Sequence, residues 1–390
     1  MNKDKYVFAQ LIELLNNDKF RRLVDKYDGN KYVKHLTCWN QLLALMFGQL
    51  SNRESLRDVI VAIEAHRSKC FHLGLGRKPI AKTTLATANQ NRDYRIFEEF
   101  ASVMIDKARK SCYRSDFEVN HSGHIYAVDS TIVDLCLNVF WWAKFRKHKG
   151  AIKIHILYDL VTQIPCFLLI TSASVHDVNF FDTINFEPNS FYIFDKAYID
   201  FRRFYKIHQR GSYFVTRAKT NLKFNRIYSN KADKNLGICS DQIGRLSLYN
   251  SNRGYPEKIR RIVYMDKELH RKFVFLTNNF ELPASDIAQL YKNRWQIELF
   301  FKWMKQHLKI KHFWGTTINA VKIQIYCAVI TYCLVAIVGS TLKIERSIYE
   351  ILQILRFSLL DKSPLQEILM KNDCKTENNC LYNQLELKLF

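Results

Sequence analysis

Three acidic side chains stand where chemistry could use them. Asp129 closes the short apolar run "IYAVD" and Asp195 closes "FYIFD". The third, Glu298, is the one acid in "YKNRWQIELFFKWMKQHLKI", residues 291–310, a stretch rich in Lys, Arg and large apolar groups. A set of carboxylate oxygens without a His or Cys cluster suits hard cations such as Mg²⁺ or Mn²⁺. Two such ions bridged by carboxylates can activate a water and stabilise the leaving oxygen in phosphodiester cleavage.

On a helical wheel of about 100° per residue, Tyr291, Arg294, Glu298 and Lys305 fall within roughly 60° of one another. Ile297, Phe300, Phe301, Met304 and Leu308 gather on the other side. The spacing predicts one helix whose Tyr/Arg/Glu/Lys face looks outward or into a cleft. Taken alone, that face reads more simply as solvated, with an i,i+4 ion pair between Arg294 and Glu298. Strand ends in an open α/β sheet converge on one cleft, however, and there a helix-borne Glu298 would complete the site begun by Asp129 and Asp195. The neighbouring Tyr, Arg and Lys then have phosphates to bind.

The elements that must position these groups follow from the pattern along the chain. Residues 1–115 read as a helical domain, with apolar residues at helical spacing in "LTCWNQLLALMFGQL" and "DYRIFEEFASVMIDKARK" and a capping box expected at Ser51-x-x-Glu54. Strands are expected at "HIYAVD", "IKIHILYDLVT", "IPCFLLITSAS", "SFYIFD" and "SYFVTRAKT", with helices at "SVHDVNFFDTI" and "FRRFYKIHQR". Short polar strands then fill a β-rich insertion over 221–280. "PASDIAQLYKNRWQIELFFKWMKQHL" predicts a helix opened by Pro283 and Ser285. The fold class is α/β: a core over 116–220 and 281–345, interrupted by the insertion and followed by a helical tail, 346–390.

Charge narrows the partner. Fifty-nine Lys and Arg against 37 Asp and Glu leave +22, spread along the chain, which points to a polyanion. The basic stretches 144–155, 217–226 and 257–272 read as surfaces for a nucleic-acid backbone. Trp141, Trp142 and Trp314 read equally as base-stacking or core residues. The ten cysteines form no CxxC pair and read as reduced thiols of a cytosolic protein. No secretory signal is expected at the N-terminus. The apolar run 323–340 is short for a membrane span and reads as a buried helix. Asp134, Asp159, Asp177 and Asp182 read as turn or capping carboxylates, and His155 and His176 as structural. His307 and His312 lack partners for zinc.

The spacing Tyr291-x2-Arg294-x3-Glu298-x6-Lys305 resembles the YREK signature of bacterial insertion-sequence transposases of the IS-four family. "AVDSTIVDL" and "IFDKAYID" are similar to that family's two Asp strands, and the resemblance covers about 120–340. It implies a ribonuclease-H-like catalytic core of the DDE type, preceded by an all-α domain that binds DNA ends. It further implies that Asp129, Asp195 and Glu298 hold two Mg²⁺ or Mn²⁺ ions, and that Tyr291, Arg294 and Lys305 bind DNA-end phosphates. The partners implied are double-stranded DNA, as terminal inverted repeats and as target, and a second copy in a synaptic homodimer; a nucleoid-associated place in the bacterial cytoplasm follows, with no membrane. A nuclease or resolvase that stops after hydrolysis, and a DNA-binding derivative without catalysis, remain open on the sequence.

Overall fold

Among the described residues six α-helices come before any strand. They are α1 (Val7–Ile12), α2 (Asn17–Lys26), α3 (Cys38–Leu50), α4 (Leu56–Ala65), α5 (Lys82–Asn91) and α6 (Arg95–Ser111). The computed structural model describes residues 4–112, 119, 121–146, 149–268, 270–307, 310 and 313–370. Expectations that touch His312, Cys374, Cys380 or the tail beyond 370 lie outside these residues. Side chains open three of the helices: Asn16, Thr37 and Ser55 each accept from the backbone N–H three residues on. The capping box expected at Ser51 and Glu54 is formed by Ser55 and Asp58 instead. Ser51 is taken up by the end of α3, where its hydroxyl donates to Phe47 O, and Asn52 turns the chain with φ +58°.

The strands are β1 (Ile125–Leu135), β2 (Lys144–Arg146), β3 (Lys149–Asp159), β4 (Ile164–Ser172), β5 (Phe191–Phe194), β6 (Tyr213–Arg217), β7 (Phe224–Asn230), β8 (Ile238–Leu246), β9 (Ile259–Asp266) and β10 (Arg271–Thr277). They make one sheet in the order β2-β3-β1-β5-β6-β10-β9-β8-β7, with β4 added on β3. β1 and β4 each pair antiparallel with β3, whereas β5 and β6 run parallel to β1. The β-rich residues after 221 thus extend the same sheet, since β10 pairs antiparallel with β6 through Phe275↔Arg217. The segment expected as a helix at 177–183 is a 3₁₀ helix.

Alternation along the strands gives the sheet two apolar faces. Ile125, Ala127, Ile154, Ile156 and Ile193 belong to one core. Tyr126, Val128, Leu157, Tyr192 and Phe194 belong to the other, against α7 (Phe201–Gln209) and the 3₁₀ helix. α8 (Tyr249–Gly254) precedes β9, and after β10 the chain is helical again: α9 (Ala284–Lys292), α10 (Trp295–His307), α11 (Ile318–Thr341), α12 (Ile348–Ser358) and α13 (Leu365–Leu369).

α11 is apolar on all sides because α3, α5, α6 and α12 surround it. It is long and apolar enough to cross a membrane, yet 94% of its most apolar window is buried inside the protein. Its few polar groups are satisfied there. Gln324 Oε1 accepts from Trp314 N at 2.7 Å, and the Thr331 hydroxyl donates to Gln49 on α3 at 2.9 Å.

Candidate active site

Asp129 lies inside β1 rather than at its end. Up to Val128 the strand is flanked by β3 and β5; beyond it only β3 continues alongside, through Leu135↔Gly150. The burial pattern changes at the same point, from continuously buried to alternating. Asp195 directly follows β5 and caps a 3₁₀ turn, accepting from Lys196 N at 2.6 Å. Val128 and Phe194 are in register, so the two aspartates sit side by side on strands about 4.8 Å apart. Alternation places both on the face that α10 covers, with Ala127 and Ile193.

Glu298 comes from α10, but the expected single helix is two. α9 stops at Lys292 and α10 starts at Trp295. From the break into the first turn of α10, Arg294, Gln296 and Ile297 donate to carbonyls three residues back, a tightened turn. The two ends of the predicted face differ in burial. Tyr291 is 9% exposed and packs its ring 4.9 Å from Phe275, while Glu298 is exposed.

Arg294, at the break, joins the elements. Its Nη1 donates to Asp129 Oδ2 at 2.9 Å and its Nη2 to Glu298 Oε1 at 2.5 Å, and its guanidinium lies 5.8 Å from the Tyr291 ring centre. The i,i+4 ion pair of the simpler reading is thus present as one half of a bridge. The side chains of Arg294 and Asp129 are 14% and 20% exposed, that of Glu298 58%. Burial pushes the Asp129 carboxyl up to about 6; Arg294 opposes this, and Glu298 and Asp195 add to it. Burial works against the Arg294 charge as well, but Tyr291, Asp129, Glu298 and Asp195 outweigh it and hold its proton more firmly. Among the described residues no three His, Cys, Asp or Glu side chains gather closely enough to grip a metal ion. Lys305 Nζ donates to Ile132 O at 2.9 Å and ties α10 to β1.

On the opposite face of β1 is a polar cluster that the sequence did not single out. Ser130 Oγ donates to Asp177 Oδ1 at 2.6 Å, and the buried Lys153 approaches the same oxygen at 3.1 Å. The visible signal was a lysine inside the apolar strand "IKIHIL". Other candidates fall into structural places. His155 is fully buried, stacked on Phe180 and bonded to Thr171. Asp159 faces Arg109 and Asp182 faces Arg203, while Asp134 is an exposed residue within β1, not a turn or cap. Trp314 is core and Trp142 Nε1 donates to Thr316 O, whereas Trp141 is exposed. Cys38, Cys70, Cys327 and Cys333 are buried free thiols, but Cys136 and Cys239 are exposed.

Residues 120–334 match the family described as Transposase DDE domain, and residues 3–76 match a Domain of unknown function (DUF4372). A Sinorhizobium fredii protein assigned as transposase y4zB is 32% identical over 269 residues, 68% of this chain and 72% of its own. A Geobacillus stearothermophilus protein assigned as the transposase of insertion sequence element IS5377 is 26% identical over 311 residues, 75% of this chain and 80% of its own. One assigned to element IS4SA in Synechocystis is 26% identical over 272 residues, 68% and 74%. With its family match running from just before β1 through most of α11, the chain belongs to the DDE transposases.

Proposed function

We propose that this DNA transposase mobilises an insertion sequence of the IS-four kind, with Asp129, Asp195 and Glu298 as its metal-binding carboxylates on a ribonuclease-H-like core. The observation that carries the reading is the side-by-side placement of Asp129 and Asp195 on the face where α10 presents Glu298. The strand order supports it too: an antiparallel trio, β4-β3-β1, followed by two strands parallel to β1.

DDE transposases generally depend on divalent metal ions. The donor set here fits such ions: it is oxygen-only, and the raised Asp129 carboxyl marks buried negative charge that a cation stabilises. Bound Mg²⁺ or Mn²⁺, two ions in this reading, would supply polarisation of a phosphodiester and of the attacking oxygen. The chain's own groups do the rest. Arg294 and Lys305 bind phosphates near the scissile bond, and Tyr291, buried beside the Arg294 guanidinium, helps to hold it. DNA ends are bound by the helical segment 1–115, and two copies bring two ends together. The domain limits given above, the insertion over 221–280 and the tail over 346–390 included, belong to the same proposal.

The test is a strand-transfer assay with purified protein, Mg²⁺ and a duplex taken from the DNA flanking its gene. Cleavage at the end followed by joining of the 3′-OH to a plasmid is expected. Hydrolysis without joining would make it a nuclease, and binding without cleavage in either metal a derivative that has lost catalysis.

A further inference from the structure

We propose that Arg294 is an internal counter-ion of the carboxylate site, and that it releases Asp129 and Glu298 to a DNA phosphate, so that metal loading waits for DNA. The inference rests on the reading of those acids as metal ligands. It deepens that reading by assigning the site a form of control.

One guanidinium spends two of its nitrogens on two carboxylates from different elements, β1 and α10. Each of the two carboxylates thus has an oxygen engaged that a divalent cation could otherwise take, and a fixed positive charge beside them repels a second cation. The same planar fork that fits a carboxylate fits a phosphate, so an incoming DNA backbone competes for Arg294 on equal geometric terms. The contact with Glu298 is the solvent-facing one, since Glu298 is 58% exposed and Asp129 20%. Release therefore begins at Glu298, on the solvent side of the bridge. Arg294 also sits in the tightened turn between α9 and α10, where the backbone can adjust without breaking a run of helical hydrogen bonds.

Mn²⁺ binding to the full-length protein, followed by electron paramagnetic resonance, tests this without any turnover. DNA-free protein is expected to bind Mn²⁺ weakly. Arg294→Gln, which keeps a neutral donor, should bind it about tenfold or more tightly, within the range of ordinary site-to-site coupling, with Arg294→Lys between the two. A duplex taken from the DNA flanking the gene should raise the affinity of the unsubstituted protein by a similar factor, after subtraction of the same titration on Asp129→Asn. It should raise that of Arg294→Gln by less than about twofold. An unchanged Mn²⁺ affinity in the unsubstituted protein on adding the duplex overturns the proposal, and that arm decides it even if Arg294→Gln does not fold. No gain in DNA-free Arg294→Gln overturns it as well. If Asp129→Asn and Glu298→Gln leave Mn²⁺ binding intact in both backgrounds, the ligand assignment has failed, a result distinct from a failure of Arg294 to yield.

Discussion

Val128 of β1 and Phe194 of β5 are a register pair, and the residues that follow them, Asp129 and Asp195, leave neighbouring parallel strands on the same side of the sheet. Carboxylates so placed act as a unit, and each should be indispensable. Asp129→Asn and Asp195→Asn are each expected to lower Mg²⁺-dependent DNA cleavage roughly a thousandfold, the loss of about 4 kcal/mol of transition-state stabilisation. Asp134→Asn, on an exposed position of the same strand, should cleave normally. Near-full cleavage by either of the first two would sink the assignment.

Most of what was readable in the sequence was local. Apolar runs ending in Asp129 and Asp195 marked two strands because a strand buried on both faces must be apolar throughout. The order that makes them neighbours lies in pairings between distant segments, which no local pattern carries. The helix break at Asn293–Arg294 was invisible for another reason. Residues 284–307 contain no Gly or Pro, and the turn is set by packing, with Tyr291 drawn under Phe275 while Arg294 is held by Asp129. The Ser130–Asp177–Lys153 cluster was hidden likewise, because its members come from three elements.

Arg260 and Asp241 form a bidentate pair, Nε to Oδ1 at 2.9 Å and Nη2 to Oδ2 at 2.8 Å, with both side chains 5% exposed. Arg260 Nη1 also donates to Leu282 O at 2.6 Å, which anchors β9 to the segment leading into α9. Asp241→Ala strands a buried guanidinium and should cost about 3–5 kcal/mol in urea unfolding. Replacing both partners with apolar residues of similar volume should cost much less. Equal losses in the single and double variants would show that the pair is not the source of the effect.

His155 makes stability depend on pH. Burial is the main cause that lowers its pKa to about 4, with Lys153 adding to this and Asp177 opposing it. An unfolded chain would protonate the same imidazole near its ordinary value of about 6.5. Below that value the unfolded state binds the extra proton and the folded state does not, so stability falls with acidification until the folded imidazole also protonates. The contribution is therefore full above about pH 6.5 and lost between there and about pH 4, on the order of 3 kcal/mol in all. His155→Gln should flatten the unfolding free energy across that window. A slope equal to that of the unsubstituted protein would remove His155 as the cause.

The net charge of +22 should express itself as salt-dependent DNA affinity. If about six phosphates are neutralised, affinity for duplex DNA falls on the order of 10³ between 50 and 200 mM salt. Lys219, Lys223 and Arg226 are exposed along the approach to β7 and in its first residues, a stretch without an acidic residue from Arg217 to Ala232. Each of them that meets a phosphate contributes about 0.9 to the slope of log affinity against log salt. Changing all three to Gln should flatten that slope by up to about 2.7, weakening specific and random duplexes alike, because a backbone contact carries no sequence information. Fluorescence anisotropy over a salt series measures it, and an unchanged slope would take this edge of the sheet out of the DNA-binding surface.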